Sequence, residues 1–321
     1  MDLTRIKPDG YALWDKYGKD GGELVSFLLW AYEGVELPSI EHVDVLAKEI
    51  GSQNVKHNGK ILKYLLISEE SEDMASENIR VMNNEVMGYR NLLKRGLFYP
   101  RRSYKCPRVT DSFNQMPFWI RKEIKINGEK IVELDFSALH PNLCYLAFNN
   151  NIPSVERAFF KNHLAGDVHG NIVNELNEMG LFQDVDAASM RSQIKKEHLS
   201  YFNDWKGRQN GYKVDRVYST KMPRFLELIR ETKRKTYKNT SSMLFQLEVD
   251  LMTEICRRFY LNGIRALYVY DALYVPASKS AEAKKIMNTV AADFGLLTRV
   301  DAPKFAPFKG PYHPKYPFSC F

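Results

Sequence analysis

The 321-residue sequence predicts an α+β fold, an antiparallel sheet backed by helices. Two stretches of β-formers predict the sheet: IVELDF at 131–136, and IRALYVYDALYVPAS at 264–278, a hairpin whose two apolar runs flank Asp271. Apolar residues at 3.6-type spacing in ELVSFLLWAYEGV, NIRVMNNEVMGYRNLLKRG and SMLFQLEVDLMTEICRRFYLNG predict the helices. With 44% hydrophobic and 12% aromatic residues the chain can bury a large core, so it is a folded globular protein.

Residues 1–95 read as a helical N-terminal region whose patterns are joined by the acidic piece SEESEDMASE and which carries no chemical motif. From Gly96 to Lys130 the text is irregular and basic, and the Asn127-Gly128 pair marks a tight turn into the strand at Ile131. Helical patterns return from Pro141 to Phe202. After a basic stretch, the long amphipathic helix ends at Gly263, whose freedom to take positive φ suits a helix terminus, and feeds the hairpin. The tail FKGPYHPKYPFSCF is aromatic and Pro-rich and is expected to pack on the body. Residues 96–321 therefore form the second, larger unit.

The formal charge of +7 is unevenly placed. Between Arg191 and Thr240 stand fourteen Lys or Arg against five Asp or Glu, a local balance of +9, so the rest of the chain is close to neutral. Such a stretch is suited to an anionic partner. Cys106, Cys144, Cys256 and Cys320 are far apart with no C-x-x-C pair, and the N-terminus has no apolar run of signal-peptide type, so a reducing, cytoplasmic setting is expected. Apolar runs such as LVSFLLWAY are too short to span a bilayer, and no membrane partner is expected.

Candidate chemistry starts with Asp135. An aspartate at the end of a core strand either caps the next segment or holds a metal, and the second needs partners. Asp271, at the hairpin turn, is one, although an aspartate also serves turns by local hydrogen bonding. Two strand-associated aspartates that converge can hold two divalent ions about 4 Å apart for in-line phosphoryl displacement. Their carboxylates, with a main-chain carbonyl, are oxygen ligands that Mg²⁺ accepts while keeping sites for water and phosphate. Asp186 is a plausible N-cap for a helix on which Arg191, Lys195 and Leu199 recur at i, i+4 and i+8, so the two cations share a face. That face suits a triphosphate or is simply solvated. His169 lies near a helix start, where backbone N–H groups favour phosphate, or is a structural histidine.

In their order these pieces resemble the family A DNA polymerases, the DNA polymerase I type, over roughly residues 95–280. Asp135-Phe136-Ser137 resembles motif A, D-Y-S; Asp167-Val168-His169 resembles the D-I-H element; Arg191 with Lys195 resembles motif B, R-x-x-x-K; Tyr270-Asp271-Ala272 resembles motif C, H-D-E. Asn114-Gln115-Met116-Pro117, with Arg121 following, is similar to the family's Q-N-I-P.

The resemblance implies a compact relative of the kind carried by phages or mobile elements, in a bacterial host or virus-encoded. Its architecture would be a palm, helical fingers at about 155–240, and a thumb-like residue 1–95 region. It implies a template-directed nucleotidyltransferase that adds dNTPs to a primer 3′ end. Asp135, Asp271 and the Phe136 carbonyl would hold two Mg²⁺, for which Mn²⁺ could substitute. Arg191, Lys195 and His169 would hold the triphosphate, with Lys195 assisting the leaving group. Arg121, Gln115, Gln246 and Tyr270 would contact template and primer.

The chain departs from the pattern in several places. Tyr270 and Ala272 stand where motif C has His and Glu, so the third carboxylate is missing there. Leu199 stands where the family stacks an aromatic on the incoming base, and Asn203 where it has Tyr, which implies looser base selection. His140 stands at the sugar gate in place of Glu. Its bulk favours deoxynucleotides, whereas a hydrogen bond to a 2′-hydroxyl would favour ribonucleotides. The region before motif A shows no D-x-E exonuclease signature, so no proofreading is expected. A family B-like or RNA-synthesising polymerase, since DFSALHP also resembles D-x-x-S-L-Y-P, and a catalytically decayed nucleic-acid-binding protein remain the alternatives.

Overall fold

The structure, a computed structural model, describes residues 19–53, 55–57, 60–64, 79–96, 100–103, 106–181, 186–202, 204–205, 209–234 and 236–300. It is mixed α/β around an antiparallel five-stranded sheet. The strands are β1 (Val35–Glu36), β7 (Lys125–Ile126), β8 (Glu129–Asp135), β10 (Ala272–Pro276) and β9 (Leu267–Val269), adjacent in that order.

Two turns set its register. Asn127 and Gly128 both have positive φ, 52° and 81°, as the tight turn between paired Ile126 and Glu129 requires. Tyr270 and Asp271 make the other two-residue turn, between paired Val269 and Ala272, and there Tyr270 takes φ 56°. An aromatic residue in the left-handed region costs about 1 kcal/mol or more, so the surrounding contacts hold this turn in place.

Alternation along the central strands divides the interior into two cores. Val132, Leu134 and Phe136 with Leu273 and Val275 belong to the larger core, which includes α12 (Asn239–Leu261) and α13 (Ser280–Asp293). Ile131, Ala272 and Tyr274 join Ile126, Leu267 and helix α2 (Ile40–Ser52) in the second. Helix α12 ends as expected: Gly263 N–H donates to Tyr260 O at 3.0 Å and Ile264 N–H to Phe259 O at 2.9 Å, with Gly263 at φ 65°.

Between sheet strands β8 and β9 the chain runs through α6 (Leu139–Phe148) into a helical arm. The arm comprises α7 (Ser154–Leu164), α8 (Val168–Glu178), α9 (Ala187–Tyr201), α10 (Lys213–Lys221) and α11 (Pro223–Thr232). Its interior is aromatic, with Phe160, Tyr201, Phe202, Tyr218 and Phe225 all nearly fully buried. Asp186 caps α9, accepting from Ser189 N–H at 2.8 Å. Glu156 accepts from the Arg224 and Phe225 amides at 3.1 and 2.9 Å and so satisfies the start of α11.

The region expected to be helical up to residue 95 has helices α1 (Lys19–Tyr32), α2 and α3 (Asn83–Arg95), but it also holds a three-stranded sheet. Its strands are β2 (Lys56–His57), β3 (Lys60–Lys63) and β4 (Ile79–Val81), too short for a readable period of two. The stretch 96–130 contains a hairpin, β5 (Arg101–Ser103) with β6 (Cys106–Thr110), and two single-turn helices, α4 (Ser112–Gln115) and α5 (Phe118–Arg121). The acidic piece at 68–77, Asn203 and the tail from 308 lie outside the described residues. Among the described residues no helix is long and apolar enough to cross a membrane.

Candidate active site

Strand pairing brings the two aspartates to neighbouring positions. Asp135 is opposite Ala272 in the β8–β10 register, so Asp271 is one residue beyond its cross-strand partner. Both are half-buried, Asp135 closing its strand and Asp271 in the hairpin turn. Phe136, next along, has its ring in the core and forms a bridge with Val300. Burial raises the Asp271 carboxyl above its usual range, the nearby Glu248 carboxylate raises it further, and His140 and Arg108 oppose the shift. A cation beside Asp271 would relieve that cost.

Among the described residues no three His, Cys, Asp or Glu side chains converge as a ready-made metal site. Two carboxylates with a main-chain carbonyl nearby still fit Mg²⁺, whose remaining positions go to water and substrate phosphates.

Glu248, on α12, was not legible as a site residue. It is fully buried, and its carboxylate accepts from Arg108 Nε at 2.8 Å and Arg108 Nη2 at 2.5 Å, a two-pronged pair. His140 Nε2 lies 3.0 Å from the same Glu248 Oε2. Burial alone would raise the Glu248 carboxyl, but the hydrogen bonds from His140 and Arg108 bring it below its usual value. The Arg108 guanidinium sits between two rings, 3.8 Å from the centre of Phe245 and 4.4 Å from that of Tyr270. These contacts hold Tyr270 in its strained turn.

His140 is near the start of α6, which begins after Ala138 at φ 50°. Its ring is held by Glu248 and lies 5.8 Å from Phe245, while the Tyr145 ring meets Phe160 edge-on. The one sequence signal for Glu248 was its place on the apolar stripe of α12 with Leu244, Leu251, Ile255 and Phe259. Arg108, on a five-residue strand, gave none.

The phosphate candidates gather on the arm. Arg191 and Lys195 both lie on the exposed face of α9. Arg191 is already engaged: Nε donates to Asp167 Oδ2 at 2.5 Å and Nη2 to Asp167 Oδ1 at 2.8 Å. The hydrogen bond from Arg191 keeps the Asp167 carboxyl below its ordinary range. Asp167 also crowds the first turn of α8, where a Cβ on Gly170 would come within 2.7 Å of its Oδ2. An exposed pair of this kind is worth at most about 1 kcal/mol, so a more highly charged anion can displace it. Lys195 has no ion pair with a described residue. His169 is half-buried beside these cations. The Leu199 side chain lies outside the described residues.

The remaining candidates lie on other elements. Gln115 is exposed and Arg121 half-buried, and with Arg80, Tyr89 and Phe118 they line a cavity of about 490 Å³. Arg121 lies 5.4 Å from the Tyr274 ring, on the face of the sheet that carries Asp135. Gln246, one turn before Asp250 on α12, accepts from Arg102 Nη2 at 2.6 Å and donates to Asp250 Oδ1 at 2.7 Å.

No protein-family profile matches the sequence, and no curated protein matches it. Among solved structures, the POL domain of Pol1 from M. smegmatis in complex with DNA primer-template and dNTP aligns at a TM-score of 0.44 and 9% identity. The alignment covers 61% of this chain and 44% of that one, so the chain spans less than half the length of that neighbour, and a likeness of this degree assigns no family.

Proposed function

We propose that the chain is a template-directed nucleotidyltransferase, a DNA polymerase with the sheet as palm and residues 154–232 as fingers. The observation that supports this reading is the β8–β10 register, which pairs Asp135 with Ala272, the residue after Asp271. Asp135, Asp271 and the Phe136 carbonyl are the residues that would hold Mg²⁺. Bound there, two divalent ions would lower the pKa of a primer hydroxyl and neutralise the leaving pyrophosphate.

The protein's own groups supply positioning. Arg191 exchanges Asp167 for phosphate, Lys195 adds charge at the leaving oxygens, and the +9 stretch neutralises a nucleic-acid backbone. In primer-extension kinetics, Lys195→Ala is expected to lower turnover strongly, by about 10²-fold, with KM changed less. Arg191→Ala should chiefly raise the nucleotide KM. If Lys195→Ala changes neither parameter, α9 presents only a solvated basic face.

His140, fixed by Glu248 and Phe245, is rigid enough to exclude a ribose hydroxyl by contact, which supports deoxynucleotide use. His140→Ala is expected to raise ribonucleotide incorporation relative to the parent by about tenfold, a difference of about 1.4 kcal/mol. Unchanged discrimination would remove His140 from the sugar site.

A non-catalytic nucleic-acid-binding module is the second reading, favoured by the Asp167 carboxylate already occupying Arg191. It requires that no nucleotide be incorporated with any divalent ion while duplex binding persists.

A further inference from the structure

Inside the arm, three polar side chains form a chain that runs from the aromatic core to the exposed cationic face. The Tyr218 hydroxyl lies 3.0 Å from His198 Nε2, and His198 Nδ1 lies 3.0 Å from His169 Nδ1. Tyr218 and His198 are buried at 1% and 5% exposure, whereas His169 is half-buried and its Nε2 bonds to no described residue. Tyr218 is embedded among Phe160, Tyr201, Phe202 and Phe225, so its hydroxyl has little choice of partner.

Both imidazoles are neutral near pH 7. Burial pushes His198 down to about 3, aided by the neighbouring His169 and His163. Burial also lowers His169 to about 4, helped by Arg191 and Lys195 and opposed by Asp167. Each neutral ring carries one N–H, so in a chain of two hydrogen bonds every proton position is fixed by the first. Burial also keeps the Tyr218 phenol protonated. A phenol donates to an imidazole nitrogen better than it accepts from one. With Tyr218 O–H directed at His198 Nε2, the His198 proton must be on Nδ1, where it donates to His169 Nδ1. The His169 proton is then on Nε2.

We infer that Tyr218 and His198 are positioning residues that fix the His169 tautomer, presenting Nε2–H as a donor to a phosphate-bearing anion held with Arg191 and Lys195. The opposite order, with Tyr218 accepting, would leave a lone pair on His169 Nε2 facing the anion and repel it. The anion's identity as a nucleoside triphosphate rests on the proposed function; the tautomer chain does not.

The test is long-range ¹⁵N–¹H correlation of the histidine rings in the full chain, with inorganic tripolyphosphate as the probe. In the parent, His169 is expected as the Nε2–H tautomer and His198 as Nδ1–H, and the His169 Nε2 signal should shift on titration. Tyr218→Phe, which keeps the ring, should leave His169 in mixed tautomers and weaken tripolyphosphate about five- to tenfold. Lys195→Ala should weaken the probe while leaving the tautomers unchanged.

His169 protonated on Nδ1 in the parent overturns the inference without any variant being needed. So does failure of the parent to bind tripolyphosphate, or a Tyr218→Phe protein with unaltered tautomers. Intact relay and probe binding with no nucleotide incorporation would sink the polymerase reading alone.

Discussion

Asp271→Asn is expected to reduce nucleotide incorporation on the order of 10³-fold or more, and to raise the melting temperature at the same time. The opposite signs follow from one feature. The ionised Asp271 is desolvated close to the Glu248 carboxylate, so its carboxyl is raised above the unfolded value. An acid raised in the folded state carries its stability at low pH and loses it as pH rises past the unfolded value, leaving a cost at neutral pH. Asparagine removes that cost together with the charge proposed to hold Mg²⁺. Asp135→Asn should match the loss of activity. Duplex binding should stay within a few-fold for both, because phosphate contacts dominate it. Near-parental extension by either variant would refute the metal assignment, and an unchanged or lower melting temperature for Asp271→Asn would refute the electrostatic account of the turn.

Glu248→Gln carries the largest expected loss of stability, about 3 kcal/mol by denaturant unfolding at pH 7, because it leaves Arg108 without its buried counter-charge. The effect should fade with acid. Burial raises the Glu248 carboxyl, but the His140 and Arg108 contacts outweigh it and the net shift is downward. Its stabilisation is therefore present above the unfolded carboxylate range and lost as pH falls through the folded value. Parent and variant should converge in stability once the pH is below the folded-state value of Glu248, which lies under the ordinary carboxylate range. Parallel pH curves would show that the ion pair contributes nothing, leaving Phe245 and Tyr270 to hold Arg108 by packing alone.

Much of the sheet was readable because its signals are local. Asn127-Gly128 and the apolar runs around Asp271 each specify a turn and its strands within a few residues, and Asp186 specifies a helix start. The three-stranded sheet near the N-terminus was not readable, because strands of two to four residues hold too few side chains to show alternation. Asp135 and Asp271 could be named from their places at strand ends. Glu248 and Arg108 could not be paired, since they are 140 residues apart and meet only when β6 packs on α12. The same holds for His198, which in sequence is one more polar residue on a basic helix. Its link to Tyr218 depends on the fold of the arm.

Single-nucleotide addition tests whether synthesis follows a template. The full chain is mixed with a primer on DNA templates that differ only in the next base, with each dNTP and NTP supplied alone in Mg²⁺, and again on RNA templates. One-nucleotide extension whose identity follows the template base is expected, with deoxynucleotides preferred. Addition that ignores the template base, or no addition with Mg²⁺ or Mn²⁺ while the primer-template stays bound, would contradict it.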